Sequence, residues 1–130
     1  MTTLSAIPIQ SGPLDEILFG SKTWEIRSKF TKKIGPVALI RSGSGTVVAT
    51  ATLSDCVLIT PKLARANYRR MGMFMDNALS CVGGYAWILE DVIELKKPVP
   101  YKHLRGAITW VTLDEPTTKK VLAEAKRSSR

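Results

Sequence analysis

The chain has 130 residues, of which 45% are hydrophobic and 23% are charged, and these fractions are typical of one soluble globular domain. No apolar run approaches the roughly 20 residues that a membrane-spanning helix needs, and no basic leader precedes an apolar block, so we expect no membrane contact and a cytoplasmic location. The net charge of +8 favours a polyanionic partner, commonly RNA and also DNA, although a positive surplus can serve solubility alone.

The cysteine and histidine content predicts neither a metal site nor a cofactor. Cys56 and Cys81 are far apart, no Cys-x-x-Cys occurs, and the single His103 has no partner at a metal-ligand spacing. A reducing compartment disfavours a disulfide bond, so we expect both cysteines to be small core residues.

The first elements are a short extended segment over residues 4–9 and a helix that begins at Ser11-Gly12-Pro13. Pro13 suits the first helical turn, and Asp15 and Glu16 lie where the helix dipole favours acids. Gly20 is expected to end this helix.

The next stretch, Gly20 to Lys29, reads as a strand because Thr23, Trp24 and Ile26 favour extended backbone, yet it carries four charges. Alternation places Lys22, Trp24, Ile26 and Ser28 on one face and Thr23, Glu25, Arg27 and Lys29 on the other, so neither face is a clean apolar row. We interpret the strand as a polar ligand site formed by Lys22, Thr23, Trp24, Glu25 and Arg27. The alternatives are a solvated edge strand, and a Trp24 that caps the core instead of stacking on a base.

A turn at residues 32–36 leads to a short apolar strand, Val37 to Ile40, and then to Arg41-Ser42-Gly43-Ser44-Gly45. Glycines let backbone N–H groups approach an anion, so Arg41, Ser42 and Ser44 are further candidate ligand contacts. A plain hairpin connection is the alternative. Thr46 to Leu58 predicts a long or bulged strand.

A helix is predicted from Pro61 to about Arg70, with Lys62, Arg65 and Arg69 on one face. These three side chains and Arg70 are candidate contacts to a nucleic-acid backbone, and the alternative is an ordinary solvated face. Residues 71–73 break the helix, and residues 74–79 form another helical turn.

The C-terminal half is predicted to contain strands at Tyr85 to Leu89, Asp91 to Val99 and Ala107 to Leu113, and a helix over residues 116–126 with a basic tail. Trp87 and Trp110 are expected in the core. The loop between the last two strands carries Tyr101, which can donate a hydrogen bond or stack, and the candidate backbone contacts Lys102, His103 and Arg105. Two basic clusters stand out here, one at Lys96, Lys97, Lys102 and Arg105, and one at Lys119, Lys120, Lys126, Arg127 and Arg130.

The Gly-x-Lys-Thr-x-Glu-x-Arg element after a short amphipathic helix resembles the signature of the ASCH superfamily, small domains related to the PUA RNA-binding barrel. Residues 35–40, 83–89 and 98–110 resemble later parts of that family, so the likeness spans roughly residues 4–113. It implies one α+β domain over residues 1–130. This domain is expected to be a PUA-like barrel of five to six strands with two to four short helices. Residues 114–130 are expected to form the C-terminal helix and tail.

Relatives with this architecture are RNA-binding modules, enzymes that hydrolyse N4-acetylcytidine, or proteins linked to RNA cleavage. The resemblance therefore implies one of these three functions. The amidohydrolase relatives need the lysine that is Lys22 here, a threonine three residues later and a glutamate in the following helical region. This chain has Glu25 at the threonine position, and Asp76 is the only acid in residues 61–79, which argues against that activity. Glu25 can instead pair with a nearby cation and hold Lys22 charged.

The leading hypothesis is an RNA- or nucleotide-binding domain whose basic cleft brings Lys22, Arg27 and Arg41 together. The alternative is a small metal-independent enzyme acting on RNA or a modified nucleoside, with Lys22, Glu25 and Tyr101, or His103, in catalytic roles. A third possibility, a protein-interaction module, rests on the apolar run from Met71 to Met75.

Overall fold

A computed structural model describes residues 3–107 and 109–129, which form one six-stranded sheet and four helices. The elements in chain order are β1 (Ser5–Ile9), α1 (Ser11–Phe19), β2 (Trp24–Arg27), β3 (Gly35–Arg41), β4 (Thr46–Leu58), α2 (Pro61–Asn67), α3 (Met75–Ser80), β5 (Tyr85–Pro100), β6 (Val111–Thr112) and α4 (Glu115–Ser128). No helix in these two ranges is long and apolar enough to cross a membrane.

The sheet has the order β2-β5-β4-β3-β1-β6, in which β1 and β3 are parallel and the other neighbours are antiparallel. It curls so that its two edges approach each other. Arg27 on edge strand β2 donates a hydrogen bond to the carbonyl of Pro8 on β1. Trp87 stacks on Trp110, just before β6, with ring centroids 5.2 Å apart. This curled mixed sheet confirms the predicted α+β, barrel-like fold.

Strand alternation on β2 decides which side chains face the helices. Trp24 and Ile26 pack with Ile59, Met71 and Ala86 in a cluster beneath α2 and α3. Glu25 and Arg27 point to the opposite face, where the Arg27 guanidinium carbon lies 5.5 Å from the Trp87 ring centroid. Trp24 is 7% exposed and therefore belongs to the core. Of the two alternatives predicted for this ring, packing in the core is the one observed, and stacking on a base is not.

Two predicted strands differ from the observed ones. Tyr85 to Pro100 is one strand instead of two, because bulges in its pairing with β4 and a positive φ of 51° at Asp91 bend it without breaking it. The predicted strand 107–113 is reduced to Val111–Thr112, because the chain turns at Gly106 with φ of 85°. Ile108, which that prediction included, lies outside the described residues, as does Arg130 of the basic tail.

Helix α2 is shorter than predicted and ends at Asn67. The Arg70 carbonyl accepts hydrogen bonds from the backbone amides of Thr23 and Trp24, at 2.9 and 3.0 Å. Residues 68–73 therefore form a turn that is tied to the start of β2, and this turn builds one wall of the site described next.

Candidate ligand-binding site

The segment before β2 is held between α1 and the turn that follows α2. Helix α1 ends at Gly20, whose φ is 98°, and the amides of Gly20, Ser21 and Lys22 all approach the Glu16 carbonyl at 3.0 to 3.2 Å. Such a left-handed C-cap reverses the chain sharply. As a result, Lys22 points back toward the helix that precedes it.

Lys22 is only 5% exposed, and its Nζ donates a 2.6 Å hydrogen bond to the Met71 carbonyl. Burial lowers the pKa of Lys22 below its usual value, while the nearby charges of Glu25, Glu16 and Cys81 act in the opposite direction. The amine is therefore fixed in position by a backbone acceptor, and the carboxylates near it come from α1 and β2.

A cavity of about 660 Å³ opens beside Lys22, and this volume is within the range of about 300–1,000 Å³ found for small-molecule sites. We call it the Phe74 cavity, because the ring of Phe74 is 83% exposed at its wall. Its lining residues come from α1, the following turn, the turn after α2, and α3: Glu16, Ser21, Arg69, Gly72, Met73, Phe74, Asn77, Ser80 and Cys81.

Gly72 connects this cavity to Lys22. Its φ is 69°, and a Cβ at this position would collide with the Glu16 carboxylate and lie 3.4 Å from Lys22 Cδ. The Glu16 carboxylate, the Gly72 backbone and the Lys22 stem are therefore packed together. A side chain at position 72 would fill the space that they share.

Glu16 is a site residue that the sequence did not reveal. The sequence predicts for Glu16 only a favourable dipole interaction in the first helical turn, whereas α1 begins at Ser11 and has no acid in its first turn. The signal that points to it is indirect: a glycine cap at position 20 folds the signature strand back along the last turn of α1. This geometry supplies a glutamate next to Lys22, which residues 61–79 lack.

Thr23 lies on the other side of Lys22. These two residues border a separate cavity of about 600 Å³, together with Glu90 and the bent position Asp91 of β5. Lys22 and Thr23, which the sequence predicts to contact a ligand, thus line one cavity on the side away from Phe74.

Glu25 and Arg27 form a buried ion pair within the curled sheet. Arg27 Nη2 lies 3.2 Å from Glu25 Oε2. Burial raises the pKa of Glu25, while the positive charges of Arg27 and Lys22 act to lower it. Through Nη2 and its contact with the ring, the Arg27 guanidinium connects β2 to β1 and to Trp87, whereas its buried Nε has no hydrogen-bond partner among the described residues.

Arg41 has a third, separate environment. It pairs with Ile9 in the β1–β3 register, and its Nη2 donates a 2.9 Å hydrogen bond to Asp15 Oδ1 of α1. Among the described residues, the two cavities beside Lys22 are lined by neither Arg27 nor Arg41. Each of the three cations thus has its own hydrogen-bond acceptor, while Lys22 and Arg27 both lie close enough to Glu25 to act on its pKa.

The glycine-rich connection and the Tyr101 loop do meet. Ser42, Gly43, Gly45, Tyr101 and His103 contribute to a cavity of about 500 Å³, which we call the Tyr101 cavity. Burial raises the pKa of Tyr101, and its hydroxyl lies 2.8 Å from His103 Nδ1. The remaining predicted residues here are placed as follows: Ser44 Oγ donates to the Arg41 carbonyl at 2.7 Å, and Lys102 and Arg105 are exposed.

These two cavities lie at opposite ends of the β4–β5 pair. Leu58 pairs with Tyr85 at the end near α2 and α3, and Thr46 pairs with Pro100 at the end near the Tyr101 cavity. The 13 residues of β4 span at most about 40 Å. One mononucleotide cannot fill both cavities.

Of the predicted backbone contacts around α2, Arg69 alone lines the Phe74 cavity. Lys62 and Arg65 are exposed on α2, and the Arg70 guanidinium donates to Asn67 Oδ1. Arg69 is therefore the cation of this group that is best placed for a ligand in the cavity.

No protein-family model and no curated protein matches this sequence. Among solved structures, the chain is similar to ASCH from Zymomonas mobilis, with a TM-score of 0.73 and 15% identity over 92% of this chain and 93% of that one. A tyrosine-to-phenylalanine mutant of the Zymomonas protein gives a TM-score of 0.72 at 14% identity, covering 94% and 98% of the two chains. A serine-to-alanine mutant gives 0.71 at 15%, covering 92% and 94%. The chain therefore has the ASCH-domain fold.

Proposed function

We propose that this protein binds RNA or a nucleotide-like ligand, and that the Phe74 cavity takes one base. The observation that carries the proposal is the combination of a nucleotide-sized hollow, an exposed aromatic ring at its wall, and a cation, Arg69, beside it. The PUA-like fold and the net charge of +8 support the same class of ligand.

Each lining residue suits one part of a nucleotide. The Phe74 face offers a stacking surface worth about 1–3 kcal/mol per base. Arg69 can bind a phosphate through paired donors, and the Asn77 amide can both donate to and accept from a base edge. Glu16 accepts from an exocyclic amine. The ligand is thus read by one aromatic face and a few polar groups, as in most small-molecule sites.

The other basic residues are assigned to the flanking chain. Lys62, Arg65 and Arg70 follow the phosphates next to the Phe74 cavity. Ser42, Ser44, Lys102, His103 and Arg105, at the Tyr101 end, are available to a longer RNA only. These contacts are electrostatic and carry no sequence preference.

The test compares Phe74→Ala with Phe19→Ala in titrations of uridine, cytidine and adenosine monophosphates. Phe19 is 87% exposed and lies outside the cavity lining, so it is a matched control for loss of an exposed ring. We expect Phe74→Ala to weaken binding about 5- to 150-fold, the equivalent of 1–3 kcal/mol. Equal effects of the two substitutions, or no mononucleotide binding by the unaltered protein, would refute the assignment.

Hydrolysis of a modified nucleoside is the second candidate, and the position of Glu16 favours it. In this scheme the neutral form of Lys22, favoured by burial, accepts a proton from the water that attacks the amide carbon. The Glu16 carboxylate beside Lys22 passes that proton to the departing amine, so that the bond from water to the acyl carbon forms as the bond to the amine breaks. Release of acetate from N4-acetylcytidine, abolished by Lys22→Met and by Glu16→Gln with binding retained, would establish this activity; absence of acetate release would exclude it.

RNA cleavage without a metal is assigned to a different place, the Tyr101 cavity. The contact between Tyr101 and His103 gives an acid–base pair beside the Ser42 hydroxyl. Cleavage of labelled RNA in EDTA should then disappear in Tyr101→Phe and persist in Lys22→Met. The opposite pattern would place any cleavage at Lys22.

A further inference from the structure

Two lysine-rich stretches that are more than 20 residues apart in the sequence lie side by side in the structure. One is the C-terminal part of β5, and the other is α4. The backbone amide of Lys96 donates a 2.9 Å hydrogen bond to Ser128 Oγ, which joins the strand to the last turn of the helix. The sequence alone shows two separate charge clusters.

Two adjoining cavities of about 390 and 640 Å³ run between this strand and helix, and they share Lys97, Glu124 and Arg127. Together they form what we call the basic groove. Its polar lining consists of five cations and one carboxylate: Lys96, Lys97, Lys119, Lys120, Arg127 and Glu124. Its floor includes Pro98, Val99 and Pro100 of β5.

The single carboxylate leaves most of this positive charge unopposed. Glu124 is 6% exposed and accepts hydrogen bonds from Arg127 Nε and Nη2 at 3.3 and 3.2 Å. Lys119 lies 3.5 Å from Glu115 at an exposed position, a pair worth about 0.3–0.5 kcal/mol. Lys96 and Lys97 form no ion pair among the described residues, and Lys120 has only the exposed Asp114 near it, so these three ammonium groups are available to an external anion.

The length of the groove suits a row of anions. Its helical wall runs from Lys119 to Arg127, which is eight residues and about 12 Å along the helix axis. Phosphates of one strand in a stacked duplex advance about 3.4 Å each along the axis, so at most about four of them fit beside this wall, and fewer of an extended single strand do.

We propose that the basic groove binds the phosphate backbone of RNA, as a second contact surface separate from the Phe74 cavity. A groove lined by ammonium groups from both a strand and a helix complements a strand of phosphates better than it complements a flat anionic bilayer. Lysine contacts of this kind give affinity and position without reading the bases. The proposal rests on the proposed function only in taking the polyanion to be RNA.

The groove lies at the Pro100 end of β5 and the Phe74 cavity near the Tyr85 end, with at most about 50 Å between them along the 16 residues of the strand. A stacked strand that rises about 3.4 Å per nucleotide needs roughly 15 nucleotides to reach both surfaces, and a more extended strand needs fewer. A mononucleotide tests the cavity, and a longer oligonucleotide tests the groove.

The experiment measures the affinity of a 20-nucleotide oligouridylate between 50 and 300 mM salt for the Lys97→Gln/Lys120→Gln variant. The control is Lys29→Gln/Lys32→Gln, which removes the same charge from exposed positions outside the groove. Loss of two phosphate contacts should reduce the slope of log K against log salt by about 1.4, at about 0.7 for each contact to a single strand. Binding of uridine monophosphate should not change, and the control should keep the slope of the unaltered protein.

Equal slopes for the two double variants would overturn the groove and leave the Phe74 cavity unaffected. Loss of mononucleotide binding in Phe74→Ala has no bearing on this slope, so the two proposals fail separately. Vesicles containing 30% phosphatidylserine are the third arm. Binding of the vesicles that depends on Lys97 and Lys120, with no such dependence for oligouridylate, would assign the groove to a membrane surface and refute the proposal.

Discussion

The ion pair of Arg27 with Glu25 indicates that the charged residues of strand β2 stabilise the barrel instead of binding a ligand. The substitution Arg27→Met tests this interpretation. The substitution removes the partner of a carboxylate, Glu25, whose side chain is 10% exposed, and leaves that charge buried. Breaking a buried pair on one side costs about 3–5 kcal/mol. A domain of this size has about 5–15 kcal/mol of stability, so the loss is a large part of the total.

Arg41→Met is the matched control, because it breaks the pair with Asp15, whose side chain is 65% exposed. Such a pair contributes about 0–1 kcal/mol. Urea unfolding at pH 7 should therefore show a loss of free energy of unfolding at least three times larger for Arg27→Met. Adding Glu25→Gln to Arg27→Met should recover most of that loss, since the buried charge is then gone.

The pH dependence gives an independent check with a defined sign. Burial already raises the folded-state pKa of Glu25, and removal of Arg27 raises it further. A raised folded pKa means that the native state binds the proton more tightly, so stability falls as pH rises from the usual value of 4.5 through the folded pKa. The deficit of Arg27→Met should thus be smaller at pH 5 than at pH 8. A deficit that equals that of Arg41→Met, or one that does not change with pH, would refute the buried-pair argument.

Three further outcomes are expected. Gly72→Ala should lower the free energy of unfolding by about 1–2 kcal/mol, because the backbone at position 72 has a left-handed φ. The substitution should also weaken nucleotide binding, because the new Cβ displaces Glu16. Unchanged affinity would show that Glu16 does not contact the nucleotide. Trp87→Phe should lower the free energy of unfolding by about 1 kcal/mol or more, because it removes the indole hydrogen bond to the Lys29 carbonyl. Thermal unfolding measures this loss. The control is Trp110→Phe, because the Trp110 indole makes no such bond among the described residues. Titration of Lys22 by NMR should give a pKa below 10.5, so stability rises with pH between the folded pKa and 10.5 and this rise disappears in Lys22→Met.

Local patterns in the sequence were sufficient for most of the fold. The strand β4 has the predicted limits, Thr46 and Leu58, because a run rich in valine and threonine between two turn signals has few alternatives. Pro13 and Gly20 likewise mark the first turn and the end of α1. The sequence predicts two strands over the range of β5, because the residues at a bend made by bulges are similar in composition to those of a loop.

The composition of the site could not be obtained in this way, because it depends on contacts between distant elements. Lys22 was identified from its motif, but its neighbours Glu16, Gly72 and Met71 come from α1 and from the turn after α2. Alternation on β2 correctly separates Trp24 from Glu25, yet it does not say which face the helices cover. The curvature of the sheet brings Arg27 to Pro8, and curvature has no signature in a linear sequence.

The surroundings of Lys22 also favour binding over catalysis. A general base must present its lone pair to the ligand within about 2.6–3.2 Å. Here Nζ is directed to the Met71 carbonyl, and the Gly72 backbone and the Glu16 carboxylate line the cavity next to it. Lys22 thus holds the turn at Met71 and Gly72 in place, with Glu16 packed beside that turn. A catalytic role requires that turn to open, whereas binding uses the geometry as it stands.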